Sequence, residues 1–223
     1  ASMVLSACGG GASSAAPAAP AASGAAPAAS AAPAASGPAK ADPNYVFRTS
    51  ADKKVVTENG TFTKENAPGP VLVTSIGQSA DVSMLDALLK KVGAEYTYNA
   101  TASAEEVAKA KTVIIACGAS SKGLGAAGIS QEDEVARAEA IIKTVADNNI
   151  TVIAAHLGGS ARRGPLSDKF NDMALSCASY VMVVEEGNDD GKFTDAAAKK
   201  EIPITLLNSI ADAMTPLKEI FGK

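Results

Sequence analysis

From Pro70 onward the chain alternates between short apolar runs and longer segments whose apolar positions recur at helical spacing. Residues 71–75 read as a first strand. Residues 80–92 follow, with Val82, Leu85, Leu88, Leu89 and Val92 on one helical face. Residues 95–99 form a weaker strand. Residues 103–110 form a short helix in which Ser103 and Glu106 are spaced as a capping box. The alternation continues with strands at 112–117, 150–155, 180–184 and 202–207, and helices at 131–147, 166–176, 192–200 and 209–221. Strands buried on both faces read as continuous apolar runs, as several of these do. The pattern predicts an α/β fold over residues 70–223. The sheet is doubly wound and mostly parallel, with about five to six strands in a flavodoxin- or Rossmann-like three-layer sandwich.

Residues 44–69 precede this domain as a small extension. Asn59-Gly60 separates two β-prone runs, Val55-Val-Thr-Glu and Thr61-Phe-Thr. That dipeptide suits a two-residue hairpin turn, so a small N-terminal hairpin is expected at the edge of the main domain.

The first forty or so residues carry no such periodicity. They are almost entirely Ala, Pro, Ser and Gly, with too little bulky apolar surface to offset the entropy of ordering. Residues 8–43 therefore read as a tether, extended at about 3.1 Å per residue where it is polyproline-like. Leu5-Ser-Ala-Cys8 resembles a bacterial lipobox, in which the chain is cut before the cysteine and the cysteine is lipidated. Residues 1–7 then read as the end of a truncated signal peptide. Palmitate-type acylation of Cys8 would anchor the domain outside the cytoplasm, facing the periplasm or the cell surface. The other reading is a stray cysteine in a low-complexity tail.

A net charge of −4 argues against a general nucleic-acid binder, which needs a basic face. Trp is absent and aromatics are few, which weakens a base- or sugar-stacking surface. One histidine and unclustered cysteines argue against structural zinc. No cofactor is expected: the glycines at 118, 123, 125 and 128 do not give a dinucleotide fingerprint. Neither a phosphate-binding P-loop nor a hydrolase elbow is present.

Polar and small residues concentrate in the loops after four predicted strands, which a parallel sheet gathers at one end. The first is Ser75-Ile-Gly-Gln-Ser-Ala-Asp81, offering Gln78, Ser79 and Asp81. The second is Cys117-Gly-Ala-Ser-Ser-Lys-Gly-Leu-Gly125, with Ser120, Ser121, Lys122 and Gly123 placed to hold an anion on backbone N–H groups. The third is His156-Leu-Gly-Gly-Ser-Ala-Arg-Arg-Gly164. Arg162 and Arg163 suit a carboxylate or phosphate clamp, or else a salt bridge to Asp168 or Glu186. The fourth is Glu185-Glu-Gly-Asn-Asp-Asp190, whose Glu185, Glu186, Asp189 and Asp190 suit a hard cation or an amine, or form a solvated turn, with Glu186 and Asn188 as candidate ligand contacts. His156 is a general base, a ligand contact, or a hydrogen-bonded cap on the sheet. Cys117 and Cys177 read as two buried thiols, with a disulfide as the alternative in an oxidising compartment. Cys117 as a nucleophile beside His156 is a further hypothesis.

Four stretches carry a family resemblance: residues 70–77, 120–128, 156–164 with Leu166-Ser-Asp168, and Glu185-Glu-Gly-Asn188 with Phe193-Thr194. Together they resemble a bacterial extracytoplasmic family catalogued as a domain of unknown function (family 6305), over about residues 65–223. The resemblance implies an extracytoplasmic α/β domain, often lipid-anchored, and supplies no catalytic residues. The chain is thus expected to bind or sense a small anionic solute through the four loops, tied to the membrane through Cys8. One alternative is an envelope hydrolase or transferase using His156 with Ser120 or Ser121. A second is a scaffold that binds an envelope partner protein.

Overall fold

A computed structural model describes residues 41–223; Cys8 and most of the predicted tether lie outside the described residues. Among the described residues seven strands, from β1 (Val55–Glu58) to β7 (Ile204–Leu207), form one sheet in the order β1-β7-β6-β5-β4-β2-β3. All pairs are parallel except β1 with β7. The six parallel strands are β2 (Val71–Ile76), β3 (Thr97–Tyr98), β4 (Thr112–Cys117), β5 (Thr151–His156), β6 (Tyr180–Val184) and β7 (Ile204–Leu207). The chain leaves β2 to form β3 on one side, then returns to form β4 on the other. This reversal of direction is the flavodoxin-like switch, between β2 and β4.

Helices cover both faces. Val82, Leu85, Leu88 and Leu89 of α1 (Asp81–Val92) and Leu217 and Ile220 of α7 (Met214–Phe221) share one core with Val73, Ile114, Ile153 and Met182. The opposite core joins Val113, Ile115, Val152 and Val181 to four helices. These are α2 (Ala104–Val107), α4 (Gln131–Asp147), α5 (Pro165–Cys177) and α6 (Lys192–Lys200). Every residue of β2, β4 and β6 is buried, which is why these strands lack a polar-apolar alternation. The capping box at α2 forms: Ser103 N–H donates to Glu106 Oε2 at 2.8 Å, and Glu106 N–H donates to Ser103 Oγ at 3.3 Å.

Two local expectations are corrected. Asn59 and Gly60 do make a turn with positive φ (60° and 107°), but no hairpin follows. The first arm, β1 (Val55–Glu58), pairs antiparallel with β7, Val55 opposite Leu207 and Glu58 opposite Ile204. It thereby covers what would be an open sheet edge. The second arm turns away because Phe62 is drawn into the core, stacked on the Tyr180 ring with centroids 4.5 Å apart. The glycine-serine stretch after β4 is not a loop either: it contains α3 (Ser121–Ala127), capped by Ser120 Oγ, which accepts from Gly123 N–H at 3.1 Å.

Candidate functional site

All four polar stretches meet at the carboxyl end of the sheet. Here the crevice expected at a switch point is closed. Gln78 and Ala119 form an antiparallel bridge, and Ser120 N–H donates to Gly77 O at 3.1 Å. A Cβ built on Gly123 would stand 1.9 Å from Gln78 O, so the first turn of α3 lies directly on the β2 loop. Gln78 and Gly123 are thus spent on joining the two loops.

The joint is fastened by two residues that sequence reasoning missed. Glu134 is fully buried; its Oε1 accepts from Gly77 N–H at 2.7 Å and from Gln78 Nε2 at 3.2 Å. Arg137 grips the same carboxylate through Nε (2.8 Å) and Nη2 (2.7 Å), and donates to the Ala102 carbonyl at 2.8 Å and to the Ser75 carbonyl. The buried positions of α4 are Glu134, Ala138, Ile141 and Val145. An acid on the core-facing stripe was the available signal.

The two arginines part company. Arg163, its side chain 4% exposed, pairs with Asp168 at 2.7 Å and Asp190 at 2.6 Å, and donates to the Gly187 carbonyl. It ties three loop segments together and has no donor edge to offer a clamp. Its role is the salt bridge to Asp168 that the sequence left open, with Asp190 in place of Glu186. Arg162, 27% exposed, lies across Gly118 and Gly158. Its Nε donates to Ser79 Oγ at 3.0 Å and its Nη1 to the Ala161 carbonyl at 3.3 Å. Among the described residues its Nη2 has no acceptor. Asp81 Oδ1 lies 3.6 Å from Arg162 Nε, and Asp81 Oδ2 is buried without a partner. Burial pushes the Asp81 carboxyl up; the Arg162 charge, the Ser79 hydroxyl and the nearby Gly158 amide pull it back only in part.

The acidic stretch serves the fold. Glu185 is buried and receives Arg48 N–H (2.8 Å), Thr49 N–H (2.7 Å), Thr49 Oγ1 (2.6 Å) and Tyr45 Oη (3.0 Å). Burial alone would raise its carboxyl, but these donors hold it below the usual range. Asn188 Oδ1 accepts from Phe193 N–H at 2.8 Å and Thr194 N–H at 3.3 Å, capping α6, while its Nδ2 donates to Tyr45 Oη. Glu186 is exposed and accepts from Ser160 Oγ at 2.8 Å. Ser121 and Lys122 are exposed at the start of α3.

His156 is fully buried, its ring 4.6 Å from that of Phe193. Its Nε2 lies 3.1 Å from the Gly159 carbonyl, so that nitrogen carries the proton, and Nδ1 has no partner. This is the hydrogen-bonded cap on the sheet, not an exposed base. Burial pushes its pKa down to about 4 against 6.5. A native pKa below the unfolded one means that the unfolded chain binds the proton first. Stability is therefore intact above about pH 6.5 and falls as the pH drops toward 4, by about 3 kcal/mol. Urea unfolding of the wild type and His156→Gln at pH 7.5 and pH 4 tests this: the wild type should lose about that much more than the variant. Parallel losses would remove His156 from the acid response.

Cys117 and Cys177 are both free thiols. Burial raises both, Cys177 to about 11 and Cys117 beyond that, which leaves Cys117 without the thiolate a nucleophile needs. A cavity of about 610 Å³ opens at the opposite, amino-terminal end of β2 and β3; none of the residues singled out from the sequence lines it. Its charged residues, Lys64, Glu95 and Lys223, are exposed and of both signs, so it selects no charge. Among the described residues no helix is long and apolar enough to cross a membrane, and no group of three or more His, Cys, Asp or Glu could hold a metal ion.

The family model described as "Domain of unknown function (DUF6305)" matches residues 68–221, more than half of the chain. No curated protein and no solved structure matches.

Proposed function

We propose that this chain, which belongs to the DUF6305 family, is a lipid-anchored extracytoplasmic domain that binds a small anionic solute at the carboxyl end of its sheet. One observation carries the reading. Arg162 is held through Nε by Ser79 at 3.0 Å and through Nη1 by the Ala161 carbonyl at 3.3 Å, which leaves Nη2 unengaged among the described residues of a side chain 27% exposed. A guanidinium fixed through two of its nitrogens, with the third free, offers one positioned, charge-assisted donor to a carboxylate or a phosphate. Lys122 and Ser121, exposed on the neighbouring α3, would add charge and a hydroxyl at the rim. The anchor rests on the lipobox-like Leu5-Ser-Ala-Cys8 and the Ala/Pro-rich stretch after it. The hydrolase or transferase alternative has less support, because His156 is buried and Ser120 Oγ is occupied as a helix cap.

Thermal unfolding of the full chain against carboxylates, phosphate and sulfate tests the reading. A ligand at 100 times its dissociation constant should add about 2.7 kcal/mol, several degrees for a domain of this size. Arg162→Ala removes the cation beside the buried Asp81 and should lower the unliganded midpoint, and against that lowered midpoint it should abolish the ligand shift. If no anion shifts the wild type, the solute-binding reading fails and the partner-scaffold alternative comes forward.

A further inference from the structure

We infer that Val46 and Phe47 form a second, weaker contact with the lipid surface to which Cys8 is tied, so that the domain lies against the bilayer instead of hanging free from it. This contact presupposes the anchor at Cys8 proposed above and does not involve Arg162.

Folded domains expose single apolar side chains as a matter of course, so exposure alone says little. Here the distribution is uneven. Among the described residues four large apolar side chains are exposed; Val46 (76%) and Phe47 (52%) are the two most exposed, and they are neighbours. Nor do they belong to a fraying end. The residues on both sides are pinned to one buried carboxylate. Tyr45 Oη donates to Glu185 Oε1 at 3.0 Å, and Arg48 N–H donates to the same oxygen at 2.8 Å. Thr49 donates to Glu185 Oε2 from N–H at 2.7 Å and from Oγ1 at 2.6 Å. Between these fastenings the chain turns Val46 and Phe47 outward. The Tyr45 ring, fixed through its hydroxyl, meets the Phe47 ring edge-on with centroids 5.2 Å apart. Phe47 is thus braced in place, and a side chain already held loses little freedom on binding.

Size selects the occupant. A stable protein–protein interface takes about 800 Å² from each partner, and one large aromatic buries about 150–250 Å². Two neighbouring side chains fall far short, so they would hold neither a second copy nor a soluble partner. A surface to which the chain is already tied is different, because the link makes the second contact intramolecular. From Cys8 to Val46 the chain reaches at most about 140 Å, at about 3.6 Å per residue. An aromatic beside an aliphatic side chain is what the bilayer interface takes up. The charges around the pair are mixed: Lys53 and Lys54 against Asp42 and Asp52, all exposed. The contact is therefore carried by the apolar pair and not by attraction to anionic lipid.

The chain contains no Trp, so Phe47→Trp places a single fluorescent reporter at the contact. The full chain, with Cys177→Ser to leave Cys8 as the accessible thiol, is coupled through Cys8 to a maleimide lipid in phosphatidylcholine vesicles. The indole emission should shift to the blue on the vesicles and be quenched by lipids brominated in their acyl chains. Adding Val46→Ser should remove most of that quenching. Tyr98→Trp, at the far edge of the sheet, should show none. Phosphatidylglycerol or added salt should change little. An introduced indole at position 47 that stays in water and unquenched would overturn the inference, leave the anchor standing and point to a protein partner. Equal quenching at positions 47 and 98 would also sink it, since the domain would then touch the bilayer with no preferred face. A blue shift that needs no vesicles and grows with protein concentration would give the pair to a second copy instead. The anchor is tested separately, by the mass of the protein extracted from cell membranes: an unacylated Cys8 removes the anchor, and this contact with it.

Discussion

Replacing Arg137 by methionine should cost the domain about 3–5 kcal/mol, because it strands the fully buried Glu134 carboxylate without its cation. In a domain of this size each kcal/mol moves the midpoint by about 2–4 °C, so the loss should approach ten degrees or more. Four donor contacts vanish together, including those to the Ser75 and Ala102 carbonyls. The double variant Glu134→Gln/Arg137→Met should recover much of the loss. The remaining Gln keeps a carbonyl oxygen for Gly77 N–H and carries no charge to strand. Urea titrations of the wild type, both single variants and the double variant measure the coupling directly. A loss below about 1 kcal/mol in Arg137→Met would mean that the joint between the β2 and β4 loops does not depend on this pair.

The second large effect separates two neighbours that look alike in sequence. Arg163→Met should destabilise by about 3 kcal/mol, since Asp168 and Asp190 are left facing each other in a partly buried place. The lower end of the buried-pair range applies because both acids retain some exposure. The Arg163 guanidinium also sits 5.7 Å from the centre of the Phe193 ring, a cation–π contact that the variant loses. Anion binding, measured well below the lowered midpoint, should persist. The reverse outcome, an unchanged midpoint with lost binding, would make Arg163 the ligand contact and Arg162 a bystander.

The layered fold was readable because its strands lie deep. Thr112 to Cys117 and Tyr180 to Val184 are buried throughout, so their composition announces them. Helix α4 was equally plain: Ser130 caps it, with Asp133 N–H donating to Ser130 Oγ at 3.0 Å. What could not be read is where polar groups spend their hydrogen bonds. Glu185 and Asn188 look like ligand contacts in a list of residues. In the fold they hold Tyr45 and Thr49, more than 130 positions away in sequence. Local spacing carries no information about such partners. Asn59-Gly60 is instructive in the same way. The turn obeys its own chemistry, but the fate of the arm after it is decided by Phe62 finding Tyr180, a contact set by the whole sheet. Helix α3 escaped notice because glycines at 123 and 125 argue against a helix on propensity, whereas close packing against Gln78 requires one of them.

The segment from Asp42 to Thr49 has a mechanical meaning. Its attachment consists mainly of donors converging on the single carboxylate of Glu185, helped by Asp42 N–H on the Asp189 carbonyl at 3.0 Å. Tension applied to the chain ahead of it is carried first by the Asp42–Asp189 bond and that carboxylate, and only afterwards by β1 and its rungs to β7. The two attachments are loaded in series, so the first can rupture while the sheet stays whole. A tug on this protein would lengthen it by a few residues before it unfolded anything.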